Sequence, residues 1–142
     1  MIDRHDLMVG NWLKIPQKII RVSNVVSNGV ISDTTIYQEE RIDPIPVTVD
    51  MLKRIGFEEY FDIEPEGKFY RYWDKDYKYR LDIRNFWTNS NREWYVHIDN
   101  DVYNTIGSGE FDYVHELQNL VRVITGRDLP ITKEMIYGNT NE

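Results

Sequence analysis

The sequence predicts an α+β fold. A short-stranded β subdomain, an SH3-like sheet or barrel, leads into an antiparallel β-meander packed on a C-terminal amphipathic helix. Three observations predict it. Short runs of β-branched and aromatic residues, separated by turn residues, recur from residue 7 to residue 106. Only two segments carry helix signals, and each ends on a glycine. The 4 Trp, 10 Tyr and 5 Phe, within a hydrophobic fraction of 41%, are enough to fill a core in 142 residues, so a chain disordered throughout is not expected. The reading divides the chain into residues 1–43 (β subdomain), 44–57 (linker and short helix), 58–131 (meander and helix) and 132–142 (a tail expected to fray).

The N-terminal strands come first. LMVGNWLKI at residues 7–15 is apolar and interrupted by Gly10, which suits a bulge or bend. KIIRVSNVV at residues 18–26 is rich in β-branched residues and reads as one strand. Asn28–Gly29 supplies a turn, and extended pattern resumes at residues 30–32 and 36–42. Pro44 and Pro46 then impose an extended linker. Thr48 is a good N-cap, Asp50 suits the helix dipole, and Val47 with Leu52 can form a hydrophobic staple. Gly56 stands where a left-handed C-terminal residue belongs. The spacing predicts a helix over residues 49–55.

Beyond residue 58 the pattern is β again. Strands are expected at residues 69–73, 77–87, 94–98 and 102–106, with turns at 74–76, 88–92 and 99–101. Phe111, Val114, Leu117, Leu120, Val121 and Ile124 make one helical stripe, which Gly126 ends. Gly107-Ser108-Gly109 reads as a flexible connection into that helix, although its backbone N–H groups also suit an anion.

One stretch stands apart in an acidic chain of net charge -7: KFYRYWDKDYKYRLDIR at residues 68–84. A three-residue loop at 74–76 pairs Trp73 with Tyr77, Arg71 with Tyr79 and Phe69 with Leu81. That face is mostly apolar and is assigned to the core. The opposite face holds Tyr70, Tyr72, Lys78, Arg80, Asp82 and Arg84, joined by Tyr95 and His97 from the next strand, whose Trp94, Val96 and Ile98 point inward. The candidate binding residues are therefore Tyr70, Tyr72, Lys78, Arg80, Arg84, Tyr95 and His97. They read either as an ordinary solvated face of cross-strand pairs or as a docking platform. A protein is the favoured partner. Nucleic acid uses the same residue types, but the net negative charge argues against it.

Motifs for chemistry are few. Without cysteine, disulfides, thiol catalysis and cysteine zinc sites are excluded. His5, His97 and His115 lack metal-pair spacing, and HExxH, GxSxG, Walker and GxGxxG motifs are absent. Asp99, Asp101, Asn104 and Glu110 match a calcium loop poorly, because Tyr103 and Asn104 occupy its fifth and sixth positions. No metal, no cofactor and no catalytic residue is assigned. An enzyme with an unrecognised site remains the third reading, after the protein-binding and nucleic-acid-binding modules. Charges throughout residues 1–18 and the lack of a long apolar run lead us to expect a cytoplasmic chain without a leader or a membrane span.

Three stretches carry a resemblance: DLMVGNWL (6–13), PIPVTVDMLKRIGF (44–57) and YVHELQNLVRVITGRDLPI (113–131). Together, over about 40 of the 142 residues, they resemble a family of small proteins from gut bacteria and their prophages or mobile elements. That family shows an RxGN-like start, a PIPLT-like linker with a helix ending in GF, a variable β region and a YVHQLQNL-like helix followed by TG. Val9 and Glu116 depart from the isoleucine and glutamine often found there. The resemblance implies a bacterial or phage origin. It implies no activity, so no catalytic residues carry over. The matching segments look architectural, and the aromatic–basic stretch lies in the variable part.

Overall fold

A computed structural model describes residues 6–62, 67–74, 79–85, 92–100 and 104–138. It is α+β, with small N-terminal sheets, a five-stranded antiparallel meander and C-terminal helices. No helix among the described residues is long and apolar enough to cross a membrane. The chain forms two compact units. One comprises Met1–Pro46 with Tyr113–Asn119, the other Val47–Asp112 with Leu120–Glu142.

The first unit holds two small antiparallel sheets. β1 (Trp12–Ile15) pairs with β2 (Lys18–Arg21). β3 (Asn24–Val26), β4 (Gly29–Ser32) and β5 (Thr35–Gln38) form the other, and a 3-10 turn, Glu39–Arg41, follows. The run 18–26, expected as one strand, is two strands. At its centre Val22 N–H donates to Asn11 O (2.8 Å) while Ser23 N–H donates to Ile31 O (2.7 Å), so the chain changes partners there. Leu7, Leu13, Ile20, Val22, Val30 and Ile42 form the core of this unit. Gly29 is required for space. A Cβ there would collide with the backbone carbonyl of Tyr37 on the neighbouring strand, and the register sets that close approach.

The start of α2 (Val114–Thr125) completes the first unit. Glu116 Oε1 accepts the Tyr113 N–H (3.2 Å), half of a capping box, and Val114 N–H donates to Ile45 O (2.8 Å). Side-chain amides then bind the N-terminal loop. Gln118 accepts from Trp12 N–H (2.9 Å) and donates to Gly10 O (3.0 Å). Asn119 accepts from the buried Asn11 Nδ2 (2.9 Å) and donates to Asp6 O (2.6 Å). Asn11 Oδ1 in turn accepts from Met8 N–H (2.7 Å). Each amide uses both its donor and its acceptor, so the loop lies over the helix with its polar groups paired.

The second unit is built on the order β10-β9-β8-β7-β6. These strands are β6 (Glu58–Asp62), β7 (Gly67–Asp74), β8 (Tyr79–Asn85), β9 (Trp94–Asn100) and β10 (Thr105–Phe111). α1 (Val49–Ile55) is capped as its sequence demands. Thr48 accepts from Met51 N–H (3.2 Å), and Gly56, at φ 123°, returns its N–H to Leu52 O (3.2 Å). Gly107-Ser108-Gly109 is strand, not a loose connection. A Cβ on Gly107 would stand 2.7 Å from Ile124, and one on Gly109 2.5 Å from Leu120. The two glycines therefore let the second half of α2 lie close on the sheet. Phe111, expected in the helical stripe, ends β10.

Of the tail expected to fray, residues 132–138 are described and include a helix; the rest lies outside the described residues. α3 (Lys133–Tyr137) is capped by Thr132 and buries Ile136. Arg54 of α1 donates to Met135 O (2.7 Å) and Ile136 O (3.2 Å), binding carbonyls that a helix end leaves open.

Candidate functional site

The register of the β7–β8 hairpin decides what each face carries. Asp74 lies opposite Tyr79, Trp73 opposite Arg80, Arg71 opposite Asp82 and Phe69 opposite Arg84. Four residues, 75–78, separate the last pair, where a three-residue loop was expected. The pairing therefore moves by an odd number, and β7 turns its other side to the core.

The expected seven residues do not share one face. Tyr70 (4% exposed) and Tyr72 belong to the covered side, opposite Ile83 and Leu81. Tyr70 meets Trp94 edge-on at 6.3 Å, and Tyr72 packs on Phe57 at 5.3 Å. Arg80, Arg84, Tyr95 and His97 occupy the opposite side. Lys78 lies outside the described residues, as do His5, Tyr77, Asp101 and most of the 88–92 turn. The inward placement of Leu81, Ile83, Trp94, Val96 and Ile98 holds; all five are buried. Trp73, assigned to the core, is 39% exposed, and Phe69 is buried but on the opposite side.

The observed outer face contains three rows across the strands. The first runs Tyr60, Phe69, Arg84, Tyr95, Glu110; the second Glu58, Arg71, Asp82, His97, Ser108; the third Trp73, Arg80, Asp99, Thr105. Phe69 is buried by its own row and the next. Tyr60 stacks on it at 5.4 Å, and the guanidinium carbons of Arg84 and Arg71 stand 4.5 and 5.0 Å from its ring. Each such cation–π contact contributes about 0.5–1 kcal/mol where the cation stays partly hydrated.

Two buried carboxylates lock the guanidiniums. Arg71 grips Asp82 with two bonds, Nε to Oδ1 at 2.8 Å and Nη2 to Oδ2 at 3.1 Å. Arg80 lies between the carboxylates, Nη2 at 2.5 Å from Asp99 Oδ2 and Nε at 3.6 Å from Asp82 Oδ2. Forked pairs of this kind fix direction as well as charge. His97 Nε2 lies 3.1 Å from Asp99 Oδ1 and 2.8 Å from Thr105 Oγ1, which itself lies 3.2 Å from Asp99 Oδ1. A relay needs the carboxylate on one ring nitrogen and the hydroxyl on the other. Here both face Nε2, so Thr105 is not activated as a nucleophile by this arrangement.

The calcium-like stretch does other work. Asp99 pairs with Arg80, and Asn100 closes a turn with Asn104 through N–H to O (2.9 Å) and side-chain (3.0 Å) bonds. Among the described residues no three potential metal ligands converge. On the covered side, burial and then the Asp74 carboxylate push the Tyr79 phenol well above its usual range. Burial and then Glu59 raise that of Tyr70.

Sequence reasoning placed Asp82 on the outer face but missed Tyr60, Arg71, Trp73 and Asp99 as parts of it. Two acidic residues within otherwise apolar or basic strands were the available signal. Pairing Arg71 with Asp82 and Arg80 with Asp99 selects the observed register over the expected one. No protein-family model, curated protein or solved structure matches this chain.

Proposed function

We propose that the chain is a non-enzymatic interaction module that binds a protein through the outer face of its five-stranded sheet. It is of bacterial or phage origin and acts in the cytoplasm. The observation that carries the reading is Trp73, 39% exposed beside guanidiniums already held by ion pairs. Tryptophan, tyrosine and arginine dominate contact energies in protein interfaces, and side chains held in place before binding lose less entropy on docking.

Charge favours a protein over a nucleic acid. The face sets Arg71, Arg80 and Arg84 against Glu58, Asp82, Asp99 and Glu110. A surface with its cations internally neutralised offers little counterion release to a phosphate backbone.

The test is capture from a native lysate on immobilised protein, with and without nuclease. Wild type should retain a protein partner after nuclease, and Trp73→Ala/Tyr95→Ala should lose at least tenfold of it. Equal capture by the double variant overturns the face. Loss of the partner on nuclease treatment, with a steep fall between 50 and 200 mM salt, gives the role to nucleic acid.

A further inference from the structure

The two edges of the meander differ. An outermost strand turns every second N–H and C=O away from its neighbour, offering a template for another strand. At β10 the ladder is broken by a register shift between Thr105 and Gly107, which weakens it as a template. β6 pairs regularly with β7 at all five positions, from Glu58↔Arg71 to Asp62↔Gly67, and it ends the sheet. It also presents aromatic surface on both sides. Phe61 is 70% exposed on one, and Tyr60 is 40% exposed on the other. An open, regular, aromatic edge is the kind that native chains usually shield.

The charge on β6 selects its occupant. The strand reads EEYFD, with three carboxylates and no cation. A second copy of this chain, paired antiparallel along the same edge, would lay one acidic strand against another, and like charges opposed across strands are destabilising. A cationic strand meets the reverse situation. The chain's own cations already choose these groups. Lys53 Nζ lies 3.6 Å from Glu59 Oε1, and the Lys68 ammonium stands 5.7 Å from the centre of the Phe61 ring. The net charge of -7 adds long-range attraction for a basic partner.

We infer that β6 is a docking edge for an extended cationic segment of another protein, which adds to the meander as a sixth strand. Running antiparallel to β6, the segment carries apolar β-branched residues opposite Phe61 and Tyr60 and basic residues opposite Glu59 and Glu58. Backbone pairing supplies the affinity, and this side-chain order supplies the specificity. The inference goes beyond the outer-face reading, because it rests on the strand edge and not on Trp73 or the ion-pair lattice.

The experiment titrates three labelled peptides into the full chain by fluorescence anisotropy. One is centred on Lys-Val-Val-Lys-Lys, one on Glu-Val-Val-Glu-Glu, and one has proline for the first valine of the basic peptide. The basic peptide should bind at least tenfold tighter than either control. Glu58→Lys/Phe61→Lys should weaken it at least tenfold with the thermal midpoint unchanged, and Val123→Ser, on exposed α2 surface, should leave it unaltered. Equal binding of the proline peptide overturns the inference, since charge attraction alone then explains it. So does a concentration-dependent dimer that Phe61→Lys abolishes, which gives the edge to a second copy. The lysate capture reads Trp73 and Tyr95 and this titration reads β6, so each reading fails separately.

Discussion

The two units hold their polar groups by opposite means. In the first, neutral amides do it: Asn11, Gln118 and Asn119 tie residues 6–12 to the first turns of α2. In the second, charges do it: Arg71, Asp82, Arg80 and Asp99 alternate across the outer face of the sheet. Neutral bonds contribute about 0.5–1.5 kcal/mol each and hardly respond to salt. Ion pairs to buried carboxylates are costly to break, and salt screens them less than surface pairs but more than neutral bonds. The first unit is thus held by bonds that salt hardly touches, and the second by ion pairs that salt can weaken.

The largest effect expected is for Asp82→Ala. It leaves Arg71 and Arg80 without the carboxylate between them, and removing one member of such a buried pair costs about 3 kcal/mol. Denaturant unfolding measures the loss, and amide exchange should rise in β7 and β8. A loss below about 1 kcal/mol would put the lattice among ordinary surface pairs and remove its claim to rigidity.

A smaller effect is expected for Asn119→Ala, about 1–2 kcal/mol, because it strands the buried Asn11 amide. Exchange should quicken at residues 6–12 and stay unchanged in β8 and β9. Raising salt should alter the Asp82→Ala difference and not this one. Equal salt sensitivity of the two variants would erase the contrast between the units.

The smallest effect at neutral pH belongs to Tyr79→Phe, and it grows only in alkali. The folded phenol titrates above its ordinary 10.0, because burial and Asp74 oppose its ionisation. The stability that this gives is fully present below pH 10.0 and is lost as the pH climbs from there toward the folded value. Melting temperatures across pH 8 to about 11 should fall less steeply for Tyr79→Phe than for wild type. Parallel curves would show that Tyr79 is not what alkali attacks.

Local signals were legible in the sequence, and long-range ones were not. Thr48, Gly56 and Gly126 mark helix ends through backbone chemistry carried by single residues, and α1 lies where they put it. The alternation of β9 also survived, because Trp94, Val96 and Ile98 are one unbroken apolar set. The β7 face failed on the parity of one loop. Tyrosine next to arginine reads equally well on either side of a sheet, so the pattern held no internal check. β6 passed unnoticed as a strand because EEYFD does not alternate between polar and apolar residues. The role of Gly107 and Gly109 depends on Leu120 and Ile124, more than ten residues away, and no local rule reaches that far. The resembling segments are where the amides of the first unit meet. Asn11 lies in one and Gln118 and Asn119 in another, which gives those motifs a mechanical meaning without assigning them an activity.

The first unit is discontinuous along the chain, and that has a bearing on synthesis. Its opening strands leave the ribosome early, yet the amides that tie down residues 6–12 are translated only after all five strands of the meander. The N-terminal region must therefore wait, incomplete, while the downstream sheet becomes available to fold. A fragment cut between Arg41 and Tyr113 would keep every N-terminal strand and still lack the clasp that closes them.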